Sequence, residues 1–274
     1  MSTAVQEHYG SADIVARILS AIPWAPETGN PLTPDMLYRF DQLHGRELHA
    51  TRDHAARLSP KPGAHVLDIG SGIGGPARYL AATCGCRVMG IDLTLAFVDT
   101  ARDLTALCGL GAMVDFVQGD AAHLPMADAG FDHALCFYVG MNLPDSSAVL
   151  AECLRVLKPG GRLVWTEVTT GTGAPHYPLP WARTAEASFL DSHAVLLDRF
   201  ARAGFDVVDA VDETQAHLDL ARQLGASGQV PDPAQTQCNA VVLGADFMER
   251  RANYTRSLSE GRIASTCIEA RKPL

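Results

Sequence analysis

The chain has 274 residues, 47% of them hydrophobic, which suits one large α/β domain or one domain with a cap. Its 22 basic and 31 acidic residues give a formal net charge of −9 at pH 7, and this charge argues against a nucleic acid partner. No apolar run is long enough for a membrane span, which needs roughly 18 residues, and no cleavable signal is visible, so we expect a cytoplasmic protein.

The first elements along the chain are two helical stretches. Apolar residues between Ile14 and Ile22 share one helical face, and Pro23 ends this helix. A proline-rich passage follows, and a second helical stretch is predicted over residues 35–58. The amphipathic N-terminal helix therefore has a surface to bury against the rest of the protein.

A glycine-rich turn follows the first predicted strand, residues 66–69, in the segment VLDIGSGIGG. Gly70, Gly72 and Gly74 permit a left-handed backbone and let N–H groups approach a ligand without a Cβ atom in the way. Dinucleotide-binding folds use a related turn, so the neighbouring residues must decide the ligand. Asp68 would repel a pyrophosphate but suits a cationic ligand, and S-adenosylmethionine carries both an ammonium and a sulfonium group.

Acidic residues also stand at the ends of the next two predicted strands. The second strand, residues 87–92, ends at Asp92, 22 residues after Gly70, where a carboxylate can accept hydrogen bonds from ribose hydroxyls. The third strand, residues 114–118, leads to Asp120, which can accept a hydrogen bond from an adenine amino group. Further strands are predicted at residues 131–138, 162–168, 205–211 and 262–270, with one helix from about residue 146, closed by LKPGG at 157–161, and another over residues 192–203.

The cysteines show no metal-binding or redox motif. Of the seven, only Cys84 and Cys86 lie close together, and their single intervening residue matches neither a zinc nor a thioredoxin spacing. We expect reduced thiols and no metal cofactor.

Four motifs in order carry a family resemblance: VLDIGSGIGG, GIDLT, GDAAHLPM and LRVLKPGG, between Val66 and Gly161. They resemble class I S-adenosylmethionine-dependent methyltransferases of the ubiquinone and menaquinone C-methyltransferase-like branch, also called methyltransferase type 11. The flanking segments YRFDQLHGRELHATR and PWA are similar to sarcosine and dimethylglycine N-methyltransferase-like proteins. The resemblance implies S-adenosylmethionine as the cofactor, with S-adenosylhomocysteine as its product, bound by Asp68, Gly70, Gly72, Gly74, Asp92, Leu93, Asp120, Ala121 and Phe137.

The same resemblance implies the α/β fold class, as a doubly wound, seven-stranded, Rossmann-like methyltransferase sheet in a single domain. Residues 1–54 are expected to form a helical N-terminal lid over the cofactor, although a helix packed on the sheet edge is the alternative. Residues 55–211 would form the cofactor-binding core, residues 212–261 a cap insertion over an acceptor pocket, and residues 262–274 the last strand.

The implied reaction is in-line transfer of a methyl group to nitrogen, oxygen or carbon of a small-molecule acceptor. A base is needed only where the acceptor must lose a proton. Glu167, near the end of the fifth strand, is the first candidate, and a salt-bridged or helix-capping carboxylate is the alternative. Asn142 stands where several relatives carry a histidine, and His176 lies in the loop after the fifth strand, where a solvent-exposed role is the alternative.

Other functions remain open at this stage. The chain is also consistent with a protein that uses the sulfonium without methyl transfer, as in cyclisation, or with a regulatory protein that binds the cofactor. A dinucleotide-dependent oxidoreductase would share the glycine turn and Asp92, but it would not explain Asp68, Asp120 and LKPGG together. A homodimer is possible, and the sequence does not fix the acceptor or the methylated atom.

Overall fold

A seven-stranded mixed sheet forms the centre of the protein. The computed structural model describes residues 13–24, 29–226 and 238–274, the side chains of residues 224–226 and 238 excepted. The strand order is β3-β2-β1-β4-β5-β7-β6. The strands are β1 (His65–Ile69), β2 (Arg87–Asp92), β3 (Val114–Gln118), β4 (Phe131–Phe137), β5 (Leu157–Thr170), β6 (Asp206–Asp212) and β7 (Ile263–Arg271).

The pairing of the strands explains which edge of the sheet can bind a ligand. Strands β1 to β5 are parallel to one another. Strand β7 lies between β5 and β6 and is antiparallel to both. The central strands are buried on both faces because their apolar runs are covered by helices. The strand order reverses beside β1, and open sheets bind ligands at such a point, at the carboxyl ends of the strands. The predicted doubly wound sheet is confirmed.

Helices cover the sheet and one end of it. The described helices are α1 (Ile14–Ala21), α2 (Pro34–Asp41), α3 (Glu47–Leu58), α4 (Gly75–Cys84), α5 (Leu95–Leu107), α6 (Ser147–Val156), α7 (His193–Ala203), α8 (Thr214–Ala226), α9 (Cys238–Leu243) and α10 (Phe247–Ser259). Short 3-10 turns lie at Gly140–Asn142 and Ala185–Ala187. None of the helices in the described ranges is both long and apolar enough to cross a bilayer.

The predicted helix over residues 35–58 is wrong in one respect, because it is two helices. Between α2 and α3 the chain turns sharply, and Arg46 adopts a left-handed backbone with φ of 61°. Gly45 precedes it without a side chain to obstruct the turn. The break brings residues 43–47 to the carboxyl edge of the sheet, where they take part in the site described below.

The segment LKPGG follows the end of α6, as predicted, with Leu157 as the C-cap, but the segment also forms the start of β5. The register of β5 against β4 jumps from Phe131 opposite Leu157 to His133 opposite Arg162, so the extra residues of the segment form a bulge. The remaining strand ends lie within two residues of their predicted positions. One of these small differences matters, because β4 ends at Phe137 and leaves Tyr138 outside the strand in a left-handed conformation.

The N-terminal helix packs over the carboxyl edge of the sheet. Ile14 and Ile18 of α1 join a buried apolar cluster with Phe97 of α5 and Val242 of α9. Its apolar face is therefore covered by segments from before and after the central sheet. The cysteines with described side chains are unpaired thiols.

Candidate active site

The carboxyl ends of β1, β2 and β4 open into one cavity. Each strand contributes the residues that follow it, because parallel neighbours end at the same edge of the sheet. The predicted cofactor residues among its lining are Asp68, Gly70, Gly72, Asp92, Leu93, Ala121 and Phe137. The structure therefore brings together seven of the nine residues that the sequence predicted, and Gly74 and Asp120 lie just outside this lining.

The glycine turn is fixed against the end of β2. Backbone N–H groups of Gly70 and Ser71 both donate to the carbonyl of Ile91, at 2.8 and 3.0 Å. Gly70 has φ of +69°, and a Cβ atom there would lie 2.3 Å from Cγ2 of Val139. Gly74 has φ of +85° and begins α4, packed against Phe116, so its role is to let the helix start rather than to line the cavity.

Asp68 is a buried carboxylate that faces the cavity without a full set of partners. Its side chain is 2% exposed, and its Oδ2 atom has no hydrogen-bond partner among the described residues. Burial, reinforced by the negative charge of Asp92, raises the pKa of Asp68 to about 7. A buried acceptor without a donor is costly, so this atom is suited to a donor, preferably a cationic one, supplied by a ligand.

Asp92 is held in one orientation by the backbone around it. It accepts hydrogen bonds from the N–H groups of Gly72 at 2.9 Å and of Thr94 at 2.8 Å. These bonds join the glycine turn to the loop after β2. Burial raises the pKa of Asp92 above its usual value, although the same backbone hydrogen bonds oppose the rise.

Asp120 lies at the margin of the cavity. Its carboxylate accepts a hydrogen bond from the N–H of Ala122 at 2.9 Å and so shapes the loop after β3. The neighbouring residues Gly119 and Ala121 form the wall itself. Recognition of an adenine amino group by Asp120 stays a prediction.

Glu167, the first catalytic candidate, lies away from the lining of both cavities described here. It is 3% exposed, and its Oε1 atom accepts the N–H of Met141 at 3.2 Å. A Cβ atom on Gly140 would lie 2.1 Å from Oε2, so the carboxyl group sits directly beneath the Gly140–Asn142 turn. Burial raises its pKa to about 8. Its contacts fix the turn that carries Asn142, and contact of Glu167 with an acceptor stays a prediction.

The other two catalytic candidates are placed differently from each other. Asn142 lines the first cavity, and its side-chain N–H group donates to the carbonyl of Val139 at 3.3 Å. His176 instead pairs through Nε2 with Glu260 at 2.8 Å, outside the lining of either cavity, and Arg262 bonds the same carboxylate. The alternative reading of His176 as a surface residue fits the structure better than a role in catalysis.

A second cavity adjoins the first and shares its wall. The walls that belong to the second cavity alone come from residues 45–47, α8, α9 and α10, and they include Leu220, Ala221, Phe247 and Leu258. The residues that line both cavities are Leu43, His44, Tyr138, Met141, Pro180 and Trp181. The sequence predicted a cap from the insertion, but it did not identify the polar residues at this junction.

A hydrogen-bonded cluster lies at the junction of the two cavities. The Tyr138 hydroxyl lies 3.0 Å from Nε2 of His217 and 3.0 Å from Oγ of Ser265. The other ring nitrogen of His217, Nδ1, lies 3.4 Å from the Tyr254 hydroxyl. Burial lowers the pKa of His217 to about 4, so its imidazole is neutral at pH 7. The signal available in the sequence was the four-residue spacing of Glu213 and His217 at the start of a helix.

Charged groups behind this cluster are paired with one another. Glu213 accepts a hydrogen bond from Arg46 at 3.1 Å and lies 3.1 Å from Nε2 of His54. Hydrogen bonding to His54 and the charge of Arg46 hold the pKa of Glu213 below its usual value despite burial. His54, Glu213 and Cys267 have donor atoms within 4.8 Å of one another, a spacing that a metal ion can use. Since Arg46 already neutralises the carboxylate, this group acts as an internal ion-pair network.

Comparison with known proteins identifies the family of the central part. Residues 67–165 match the family model described as "Methyltransferase domain". Residues 67–165 therefore form a methyltransferase domain. This domain covers the glycine turn, Asp92, the loop after β3 and the Gly140–Asn142 turn, and it confirms the predicted methyltransferase resemblance for this part of the chain.

Curated relatives of the methyltransferase domain include methyltransferase GfsG of Streptomyces halstedii, 33% identical over 168 residues, and O-methyltransferase cnsE of Penicillium expansum, 35% identical over 164 residues. These matches cover 58% and 59% of this chain. The matched part spans 59% of the length of each relative. Activity, substrates and partners of the whole protein are therefore matters for proposal.

Solved structures extend the likeness beyond the methyltransferase domain. The crystal structure of the 4+2 cyclase SpnF matches with a TM-score of 0.67 and 26% identity, covering 98% of this chain and 96% of that chain. A geranyl diphosphate C-methyltransferase from Streptomyces coelicolor, crystallised with Mg2+, geranyl diphosphate and S-adenosylhomocysteine, matches with a TM-score of 0.65 at 19% identity, covering 82% of this chain and 78% of that chain. The likeness to the geranyl diphosphate C-methyltransferase shows a shared fold alone.

Proposed function

We propose that this protein transfers a methyl group from S-adenosylmethionine to a small-molecule acceptor bound in the second cavity. The observation that carries the proposal is the shared wall, because a ligand in one cavity contacts the same residues as a ligand in the other. The family match and the curated O-methyltransferase relative support the reaction class. A cytoplasmic location and a homodimer stay predictions.

The residues of the first cavity fit this cofactor. The unpartnered carboxylate oxygen of Asp68 would accept the cofactor's ammonium group, and Asp92 would accept the ribose hydroxyls. When bound, S-adenosylmethionine supplies a methyl group that is already electrophilic because it is attached to a sulfonium. Two carboxylates in a buried cavity favour such a cation over a pyrophosphate, and this disfavours the dinucleotide alternative.

The main task of the surrounding residues is to position the acceptor. Holding the reacting atoms about 3–3.5 Å apart and in line can contribute about 7–11 kcal/mol to lowering the barrier. Trp181 and Met141 at the shared wall restrict how an acceptor can approach. We further propose that α1 and α9, which pack together over this edge of the sheet, form the cover that excludes water.

Two measurements test the proposal. Titration calorimetry should show binding of S-adenosylhomocysteine and none of NADH. Labelled methyl groups should then pass from S-adenosylmethionine into members of a panel of amines, phenols and quinone precursors. Binding of NADH in place of S-adenosylhomocysteine would refute the cofactor assignment.

A second candidate function rests on the likeness to SpnF, which extends over almost the whole chain. Under this alternative, the second cavity would fold a flexible substrate for cyclisation, and no methyl group would leave the cofactor. Incubation with methyl-labelled S-adenosylmethionine separates the two functions, since cyclisation changes a substrate without adding label. Product without label would favour the cyclase.

Asp68 makes cofactor affinity depend on pH. Its pKa of about 7 in the free protein means that the carboxyl group is mostly protonated below pH 7 and ionised above it. A bound ammonium group favours the ionised form, so binding below pH 7 should release a proton. We expect the affinity for S-adenosylhomocysteine to rise by up to about tenfold per pH unit between pH 5.5 and 7.

Calorimetry in buffers of different ionisation enthalpy measures this proton release. Asp68→Asn should abolish it. Glu167→Gln serves as the matched control, because Glu167 is also a buried carboxyl group with a raised pKa but lies outside the cavity. If Glu167→Gln abolished the proton release and Asp68→Asn left it unchanged, the role of Asp68 would be contradicted.

A further inference from the structure

The second cavity presents no charge that is unpaired within the described residues. Arg46 bonds Glu213, and Arg251 lies 3.3 Å from Glu47. These ion pairs neutralise the charged side chains of the lining, and His217 is neutral at pH 7 because burial lowers its pKa to about 4. An acceptor with a phosphate, carboxylate or ammonium group would lose water without gaining a counter-charge. The lining therefore selects a neutral acceptor.

The rest of that lining is mainly apolar. Aromatic and aliphatic side chains from five parts of the chain face the space: Leu43, Met141, Trp181, Leu220, Phe247 and Leu258. Such walls bind an apolar body and leave orientation to a few polar groups. Those polar groups are concentrated at the junction with the first cavity, where the reacting atoms must meet.

Tyr138 is the junction residue with the most unusual backbone. It lines both cavities, and its φ of 57° places a bulky side chain in the left-handed region. A non-glycine residue in that region is strained and persists where surrounding contacts hold it. Here the contacts are hydrogen bonds of its hydroxyl group to His217 and Ser265. These hydrogen bonds keep the Tyr138 hydroxyl at the junction.

Gly45 makes room for the side chains of Tyr138 and His217. A Cβ atom at Gly45 would lie 2.4 Å from Cε1 of His217 and 3.0 Å from the Tyr138 hydroxyl. The imidazole also has Tyr254 against Nδ1. A neutral imidazole has one N–H and one lone pair, and in the tautomer protonated at Nδ1 that nitrogen donates to Tyr254 while Nε2 accepts from Tyr138. This arrangement gives the Tyr138 proton a direct path to Nε2.

His44 is the other histidine at the junction, and its ring nitrogens are already engaged. Nδ1 lies 3.2 Å from the carbonyl of Gly45, and Nε2 lies 3.0 Å from Oγ1 of Thr51. Thr51 in turn bonds Gln42. His44 therefore shapes the wall, while the Tyr138–His217 pair remains the group that can take up a proton.

We propose that the acceptor is a neutral, largely apolar molecule whose hydroxyl group is methylated while its proton passes through Tyr138 to His217. This inference rests on the proposed function. The acceptor oxygen forms a bond to the methyl carbon as its O–H bond breaks, and the C–S electron pair stays on sulfur. The acceptor proton goes to the Tyr138 oxygen as the Tyr138 proton moves to Nε2 of His217. One positive charge thus leaves sulfur and one appears on the imidazole, which later returns the proton to water.

Binding of two matched probes tests the hydroxyl recognition without turnover. Calorimetry on protein saturated with S-adenosylhomocysteine compares 2-naphthol with 2-methylnaphthalene, which replaces the hydroxyl by a methyl group. We expect 2-naphthol to bind about tenfold more tightly, as one hydrogen bond allows. Tyr138→Phe should reduce the preference to about twofold or less, whereas Tyr79→Phe, on α4, should retain it. Equal affinity for the two probes in the wild-type protein would overturn the proposal.

Turnover of the same probe tests the proton path. Label from S-adenosylmethionine should enter 2-naphthol but not 2-naphthylamine. Tyr138→Phe and His217→Gln should each lower the rate at pH 7 by about 10²–10⁴-fold. His217 lies outside the lining of the first cavity, so His217→Gln should leave the affinity for S-adenosylhomocysteine unchanged. The deficit of His217→Gln should shrink at high pH, because naphthol then ionises without help, and a merely structural role would not give this profile.

The pH profile of the wild-type enzyme at saturating S-adenosylmethionine reads His217 separately from the effect of Asp68 on cofactor affinity. Activity should fall below about pH 5 as the imidazole becomes protonated. The groups that face the His217 imidazole and set its pKa are Glu213, Arg46, His54, Asp212, Tyr138 and Tyr254. Labelling of the amine, labelling of neither probe, or full activity in His217→Gln would each overturn the hydroxyl proposal. Failure to bind S-adenosylhomocysteine would instead overturn the proposed function.

Discussion

Replacing Arg78 by methionine should lower the free energy of unfolding by about 3–5 kcal/mol. Arg78 is fully buried, and its guanidinium donates to Asp41 at 2.9 Å and to the carbonyl of Ile73 at 2.7 Å. It also donates to Thr105 at 3.1 Å. Methionine fills much of the same volume, so the loss would come mainly from the Asp41 carboxylate, left buried without its counter-charge.

Urea unfolding measures this loss. The matched control is Arg202→Met, because Arg202 pairs with Asp198 at 2.8 Å on an exposed helix face, where an ion pair contributes at most about 1 kcal/mol. The double variant Arg78→Met with Asp41→Leu should recover part of the stability, since it removes the unpaired charge as well. A loss below about 1 kcal/mol for Arg78→Met would show that the pair is not needed to tether α2 to α4.

Asp92→Ala should weaken the binding of S-adenosylhomocysteine by about 10–150-fold, which corresponds to about 1.5–3 kcal/mol for a charged hydrogen-bonding group. The substitution removes the proposed acceptor for the ribose hydroxyls. It also leaves the N–H groups of Gly72 and Thr94 without their present partner, so the glycine turn loses its link to β2.

Calorimetry with Asp99→Ala as the control separates these effects from general destabilisation. Asp99 lies on α5 and is largely exposed, and its carboxylate lies 3.6 Å from the guanidinium of Arg102. Its replacement should leave affinity unchanged. Asp92→Asn retains one acceptor oxygen, and we expect an intermediate loss. Unchanged affinity in a folded Asp92→Ala variant would contradict the placement of the cofactor.

The fold and the first cavity were predictable because their signals are local. Apolar runs of strand length, followed by glycine or an acidic residue, fixed the positions of β1, β2 and β3 to within one residue. The turn residues Gly70 and Gly72 and the carboxylates Asp68 and Asp92 then had to meet, since parallel strands end at one edge.

The second cavity was not predictable in the same way. Its central pair joins Tyr138, at the end of β4, to His217, 79 residues later, and no short motif contains both. The sequence placed Tyr138 within the strand because tyrosine favours strands, and nothing local indicates its left-handed backbone. Strand position alone also does not show that a turn at Gly140 covers the carboxyl group of Glu167.

The antiparallel pairing of β6 with β7 has a consequence for how such proteins diversify. Asp212, where β6 ends, pairs with Thr266, close to the start of β7, so the segment between them leaves and re-enters the sheet at neighbouring points. Lengthening or replacing such a segment costs little loop-closure entropy and leaves the strand order unchanged. Since α8 and α10 in this segment line only the second cavity, exchange of these two helices would alter the acceptor walls alone, whereas α9 also reaches the first cavity through Leu243.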